Sequence, residues 1–96
     1  MNTEELLFFY TGWLNILDPK ELKKTFDDLL QSCGFEIFNF VEHHFSPHGY
    51  TCLWLLGESH LAIHTFPENN KTFFELCSCS EPKLLQFKSR HKENLL

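Results

Sequence analysis

Apolar positions recur along this chain with two different spacings, and the switches between them mark out the elements. Leu6, Leu7, Phe8, Phe9, Tyr10 and Trp13 form a short, dense run that predicts a buried first strand, with Gly12 near its end admitting a bulge or turn. Asp18-Pro19 has the chemistry of a helix start, an aspartate to accept from free backbone N–H groups and a proline whose fixed φ suits the first helical position. Leu22, Phe26, Leu29, Leu30 and Cys33 then fall on one helical stripe, while Lys20, Lys23, Lys24, Asp27, Asp28 and Gln31 make the wet face. Gly34 is the expected stop, since glycine takes the left-handed conformation without a side-chain clash.

Beyond the helix the period changes to two. Phe35 to Phe45 predicts a second strand, with Ile37 and Val41 on one face and Phe38, Phe40 and His44 on the other. Ser46-Pro47-His48-Gly49 is turn chemistry, and Tyr50 to Leu56 is so uniformly apolar that it reads as an interior strand. His60 to Phe66 alternates cleanly: Leu61, Ile63 and Thr65 on one face, His60, Ala62, His64 and Phe66 on the other, with Pro67 ending it. Glu68 to Lys71 is a polar hairpin loop, and Thr72 to Cys79 is the fifth strand. Ser80 is placed to cap a second helix, in which Leu84, Leu85 and Phe87 bury a weak stripe before a polar end from Lys88 to Asn94. One strand, a helix, four strands and a helix predict an α+β two-layer sandwich, an antiparallel sheet with two helices on one face, in a single domain over 1–96. The other sheet face carries Phe, His and Cys, and a second copy of the chain is its simplest cover, so a homodimer is expected.

Composition narrows the function classes. A formal charge of −5 argues against a nucleic-acid partner, which calls for a basic patch. Lacking an apolar run long enough to span a bilayer and a basic leader at Met1-Asn2-Thr3-Glu4-Glu5, the chain is expected in the cytoplasm and not in a membrane. The cysteines at 33, 52, 77 and 79 lack zinc-ribbon spacing and are expected as free thiols. Histidines 43, 44, 48, 60 and 64 form no recognised ligand pair with them, so no metal is expected. Eleven phenylalanines and two tryptophans make the chain aromatic-heavy; many of those rings are expected in the core and some lining a pocket.

The stretch that carries chemistry is Gly57-Glu58-Ser59-His60-Leu61-Ala62-Ile63-His64-Thr65-Phe66-Pro67-Glu68. Ser59 falls at the turn between two strands, and His64 and Phe66 share the face opposite the aliphatic one. On spacing alone this is either an ordinary polar hairpin with a solvated His64, or a serine held where the chain bends. A Ser-His hydrolase is not favoured, because Gly57-Glu58-Ser59-His60-Leu61 lacks the second glycine of a nucleophile elbow.

The segment Glu58 to Glu68, with Phe45-Ser46-Pro47-His48-Gly49 upstream and Cys79 downstream, resembles the self-cleavage region of the short bacterial and archaeal S-adenosylmethionine decarboxylases. The resemblance runs over about residues 5 to 80. It implies cleavage between Glu58 and Ser59 into a 1–58 β chain and a 59–96 α chain, with Ser59 becoming a pyruvoyl cofactor that forms a Schiff base with the substrate. By the same resemblance His64 and Thr51 act in processing, Thr51 standing where many relatives have serine, and Cys79 is the proton donor. Phe45 resembles an adenine-stacking ring, with Phe66 a second, and Glu58 and Glu68 resemble residues that hold the ribose. The implied reaction is decarboxylation of S-adenosylmethionine for spermidine and other polyamine synthesis. Two alternatives stay open: decarboxylation of ornithine or arginine, and a non-processing homologue that serves as a partner subunit.

Overall fold

A computed structural model describes residues 6–94. The elements run in the order β1 (Phe8–Leu14), α1 (Pro19–Ser32), β2 (Ile37–His44), β3 (Tyr50–Leu56), β4 (Ser59–Phe66), β5 (Lys71–Ser78) and α2 (Glu81–Asn94), with a single turn of 3-10 helix at Pro67–Asn69. The strands form one sheet in the order β1-β5-β4-β3-β2, and each neighbouring pair is antiparallel. Both helices pack on the same face, so the two-layer α+β sandwich expected from the element order is the fold.

The first helix forms for the reasons visible in its sequence. The Asp18 carboxylate accepts from the Glu21 N–H at 2.9 Å, Pro19 occupies the first turn, and Gly34 closes the end with φ 85°. Leu22, Phe26, Leu29 and Leu30 are buried against the sheet. A polar contact ties this helix down: the Trp54 indole N–H donates to Asp27 Oδ1 at 2.6 Å, and Asp27 also accepts from Lys23. The core is aromatic. Phe26, Trp54, Phe74 and Phe87 are fully buried, and the Phe26, Phe74 and Phe87 ring centroids lie about 6 Å apart. Each such ring contributes about 2 kcal/mol by leaving water.

The sheet differs from the sequence pattern at several places. The first strand starts at Phe8 and not at Leu6, because Phe8 already pairs with Ser78, the last residue of β5. Gly12 makes neither bulge nor turn; it pairs regularly with Phe74, and a Cβ there would stand 2.8 Å from the Phe74 ring, so its role is close packing. In β2 an irregularity between Ile37 and Asn39 leaves Phe38 exposed and resets the alternation. Ile37 and Phe40 therefore share the core side with Trp54, and Val41, expected beside Ile37, lies on the opposite face. Ser59 is not in the turn but is the first residue of β4. In α2 the buried stripe is Leu84, Phe87 and His91, while Leu85 is exposed.

His91 was hidden in a polar-looking tail. It is 6% exposed, its Nδ1 is hydrogen-bonded to the Tyr10 hydroxyl at 2.9 Å, and its Nε2 is buried with no partner among the described residues. Burial, with a smaller contribution from Lys92, pushes its pKa below the ordinary value. The unfolded chain therefore binds this proton at a higher pH than the folded chain does. Stability should be full above about pH 6.5 and fall as the pH drops through the range between the two pKa values. Urea melts at stepped pH should show that loss, and His91→Phe should remove most of it; an unchanged pH slope would exclude His91 as its source.

Candidate active site

Gly57 and Glu58 form a two-residue turn that joins β3 to β4 and pairs Leu56 with Ser59. The chain adopts φ 53° at Glu58, in the left-handed region, where a non-glycine residue costs roughly 1 kcal/mol. The bond after this strained residue is Glu58–Ser59. Ser59 points to the core side of the sheet, 7% exposed, and pairs on its other flank with Ser78. Its hydroxyl donates to Ser78 Oγ at 2.9 Å, and Ser78 is fully buried. The next residue, Cys79, leaves the strand, and its thiol donates to Glu58 Oε2 at 3.8 Å. Glu58, Ser59, Ser78 and Cys79 thus gather at one end of the β4–β5 pair.

The face turned away from the helices is built of cross-strand rows. Nearest Ser59 lie Phe9, Cys77, His60 and Leu55; next come Thr11, Glu75, Ala62, Leu53 and Val41; then Trp13, Phe73, His64, Thr51 and His43. In the third row Thr51 Oγ1 is 2.9 Å from His64 Nδ1. That bond occupies one ring nitrogen and leaves Nε2 as the one open to a reacting group. The His43 ring meets Phe45 edge-on at 4.6 Å, and the Phe45 N–H donates to Gly49 O at 2.8 Å, which closes the loop that presents this half-exposed ring. Phe66 packs instead with Trp13 at 5.9 Å, and Trp13 with Phe73 at 5.1 Å. Glu68 is exposed in the 3-10 turn that follows.

The site residues read from the sequence therefore form two groups. Glu58, Ser59 and Cys79 come together, and so do Thr51 and His64. The two groups do not meet within one chain: five residues at about 3.4 Å each put His64 roughly 17 Å from Ser59 along β4, and an odd separation puts them on opposite faces. Phe45 and Phe66 are likewise two strand spacings apart, roughly 10 Å. Sequence reading missed Ser78, His43 and the Trp13–Phe73 pair, since all four depend on cross-strand register. Burial, with lesser effects of Glu75 and Cys79, raises the Cys77 pKa, and burial pushes Cys52 up to about 12, so both stay thiols, while Cys79 is exposed. Depressions on the open face, about 170 Å³ beside His43 and Thr51 and about 220 Å³ beside Trp13 and Phe66, are too small to enclose a nucleoside-sized ligand alone. Among the described residues no cluster of three or more His, Cys, Asp or Glu is arranged to hold a metal, and no helix is long and apolar enough to cross a membrane.

The sequence model for S-adenosylmethionine decarboxylase matches residues 13–94. The chain belongs to the S-adenosylmethionine decarboxylase family. It is 39% identical over 64 residues to the S-adenosylmethionine decarboxylase proenzyme of Brevibacillus brevis, covering 67% of this chain and 48% of that protein. It is 38% identical over 64 residues to the proenzyme of Prochlorococcus marinus, covering 67% and 51%. The chain spans about half the length of the curated relatives it matches. The crystal structure of the adenosylmethionine decarboxylase from Aquifex aeolicus superposes with a TM-score of 0.79 at 19% identity, covering 97% of this chain and 82% of that one, which establishes the shared fold. The family segment includes every residue of the two groups described above.

Proposed function

We propose that this chain is the proenzyme of a pyruvoyl-dependent S-adenosylmethionine decarboxylase that cleaves its own Glu58–Ser59 bond, working in the cytoplasm to supply aminopropyl groups for polyamine synthesis. The observation that carries the reading is the serine itself: buried at the head of a strand, directly after a left-handed residue, and with its hydroxyl already oriented. The residues around it fit a group made from Ser59, because Cys79 and Glu58 stand beside that position. A pyruvoyl group there supplies a carbonyl that takes up the electron pair left when CO2 departs. Cys79, exposed and next to the cleavage site, is the residue that returns a proton to the substrate carbon. Phe45 offers a flat face to adenine, worth about 1–3 kcal/mol by stacking, and Glu58 and Glu68 offer carboxylates to the ribose hydroxyls.

His64 serves processing as a base, held by Thr51 so that Nε2 is free. Since it cannot reach Ser59 within its own chain, we assign it to the bond of a second copy. The open face supports this assignment: Phe9, Trp13, Val41, Leu55 and Phe66 expose 38–60% of their surface there, an apolar patch that calls for a cover. A two-fold contact with strands running in opposite directions lays the His64 row of one copy over the His60–Cys77 row of the other, on the face opposite the Ser59 hydroxyl, so His64 is assigned to the Cα proton of residue 59 and not to that hydroxyl.

Three measurements test this reading. Intact mass after incubation should show two fragments split between residues 58 and 59; a single full-length mass would instead support a non-processing partner subunit. Separately purified Ser59→Ala and His64→Ala chains should each stay uncleaved or cleave at least about 100-fold slowly, the usual contribution of a base. Once mixed and allowed to exchange, the His64→Ala chain should be cut, and its persistence intact would exclude a site shared between copies. For substrate, Phe45→Ala should weaken S-adenosylmethionine binding roughly tenfold, about the worth of one stacked base, and leave cleavage near normal. Carbon dioxide released from ornithine or arginine but not from S-adenosylmethionine would reject the substrate assignment.

A further inference from the structure

We propose that Ser78 is the positioning residue that sets the proton of the Ser59 nucleophile, an inference that rests on the self-cleavage reading above. Ser78 ends β5, pairs with Ser59 across the sheet, and is completely buried. Its hydrogen bonds leave one consistent polarity. The Ser80 N–H donates to Ser78 Oγ at 3.0 Å, and the Ser78 hydroxyl donates to Ser80 O at 3.4 Å. With its own proton committed, Ser78 meets Ser59 only as an acceptor, and the Ser59 hydroxyl donates to it at 2.9 Å. Among the described residues no donor points back at Ser59 Oγ, so both of its lone pairs are open. An oxygen held in that way is prepared to attack the carbonyl one bond upstream.

In that attack Ser59 Oγ bonds to the Glu58 carbonyl carbon, the C–N bond breaks, and the hydroxyl proton ends on the freed amine, giving an ester. A base then takes the Cα proton of residue 59, and the Cβ–O bond breaks to leave Glu58 as a carboxylate. Water replaces the nitrogen of the resulting dehydroalanine, releasing ammonia and the pyruvoyl group. The Ser59 oxygen departs with the 1–58 fragment, and a methyl group faces Ser78 from then on. The Ser59–Ser78 bond exists only in the precursor. Ser78 should therefore act on ester formation.

The isosteric pair Ser78→Thr and Ser78→Val tests this, since both add the same bulk to a buried site and only threonine keeps the hydroxyl. Cleavage followed by intact mass should be at least about tenfold slower in Ser78→Val than in Ser78→Thr, the rate equivalent of one lost hydrogen bond. Hydroxylamine, which cuts the ester, should not speed the Val variant. Equal cleavage by the two variants, or hydroxylamine cutting the Val variant as fast as wild type, would overturn the role of Ser78 alone. A wild-type chain that never cleaves would remove the proenzyme reading with it.

Discussion

The register of β4 between β3 and β5 is the constraint on which the other features depend. It is held by a two-residue turn at one end, Pro67 at the other, and an alternation that buries Leu61, Ile63 and Thr65 while turning His60, Ala62 and His64 outward. Side chains in a strand have a period of two, so a slip of one residue would carry Ser59 to the open face and His64 into an aromatic core. The burial of Leu61 and Ile63 opposes that slip strongly, and the side chains of Ser59 and His64 are oriented as a by-product of ordinary packing.

The helical layer makes this register rigid. Phe26 of α1, Phe87 of α2, and Phe74 and Trp54 of the sheet fill one continuous core, and the Trp54–Asp27 bond pins the helix without leaving the indole N–H unpaired. With the structural aromatics gathered there, the rings on the other face stand out. Trp13 and Phe9 stay exposed in the cross-strand rows of His64 and Cys77, and Phe66 lies one row beyond His64, paired with Lys71. One face of the sheet carries the packed core, and the other is left open with its rings exposed.

Glu58 joins local strain to function. A left-handed glutamate is unfavourable in a tight turn, where glycine has no Cβ clash, and that strain lies one bond from the oriented hydroxyl of Ser59. Its carboxylate accepts from Cys79, which ties the turn to the end of β5. The same end of the sheet therefore holds a strained peptide, a positioned hydroxyl and an exposed thiol, and the neighbouring strands hold each of them in place.

Much of this was legible along the chain. Alternation identified β4 and its two faces, the helical stripe from Leu22 to Cys33 identified α1, and Asp18-Pro19 and Gly34 marked its ends, because each of these signals is local. Spacing alone left the stretch from Glu58 to Glu68 open between a polar hairpin and a reactive serine, and only its resemblance to the S-adenosylmethionine decarboxylases singled out Ser59. What the chain could not display was anything set by pairing between strands. The irregularity at Phe38 moved Val41 to the other face, Gly12 proved to be packed under Phe74, and His91 was buried because α2 lies over Tyr10 and Phe74. The separation of His64 from Ser59 follows from strand geometry once β4 is known to be straight, whereas the Ser59–Ser78 contact does not. Nineteen positions divide those two serines in the chain, and only the register of β5 against β4 places one hydroxyl on the other. Local propensity and periodicity are carried by near neighbours in sequence, while register is decided by the summed packing of the whole sheet.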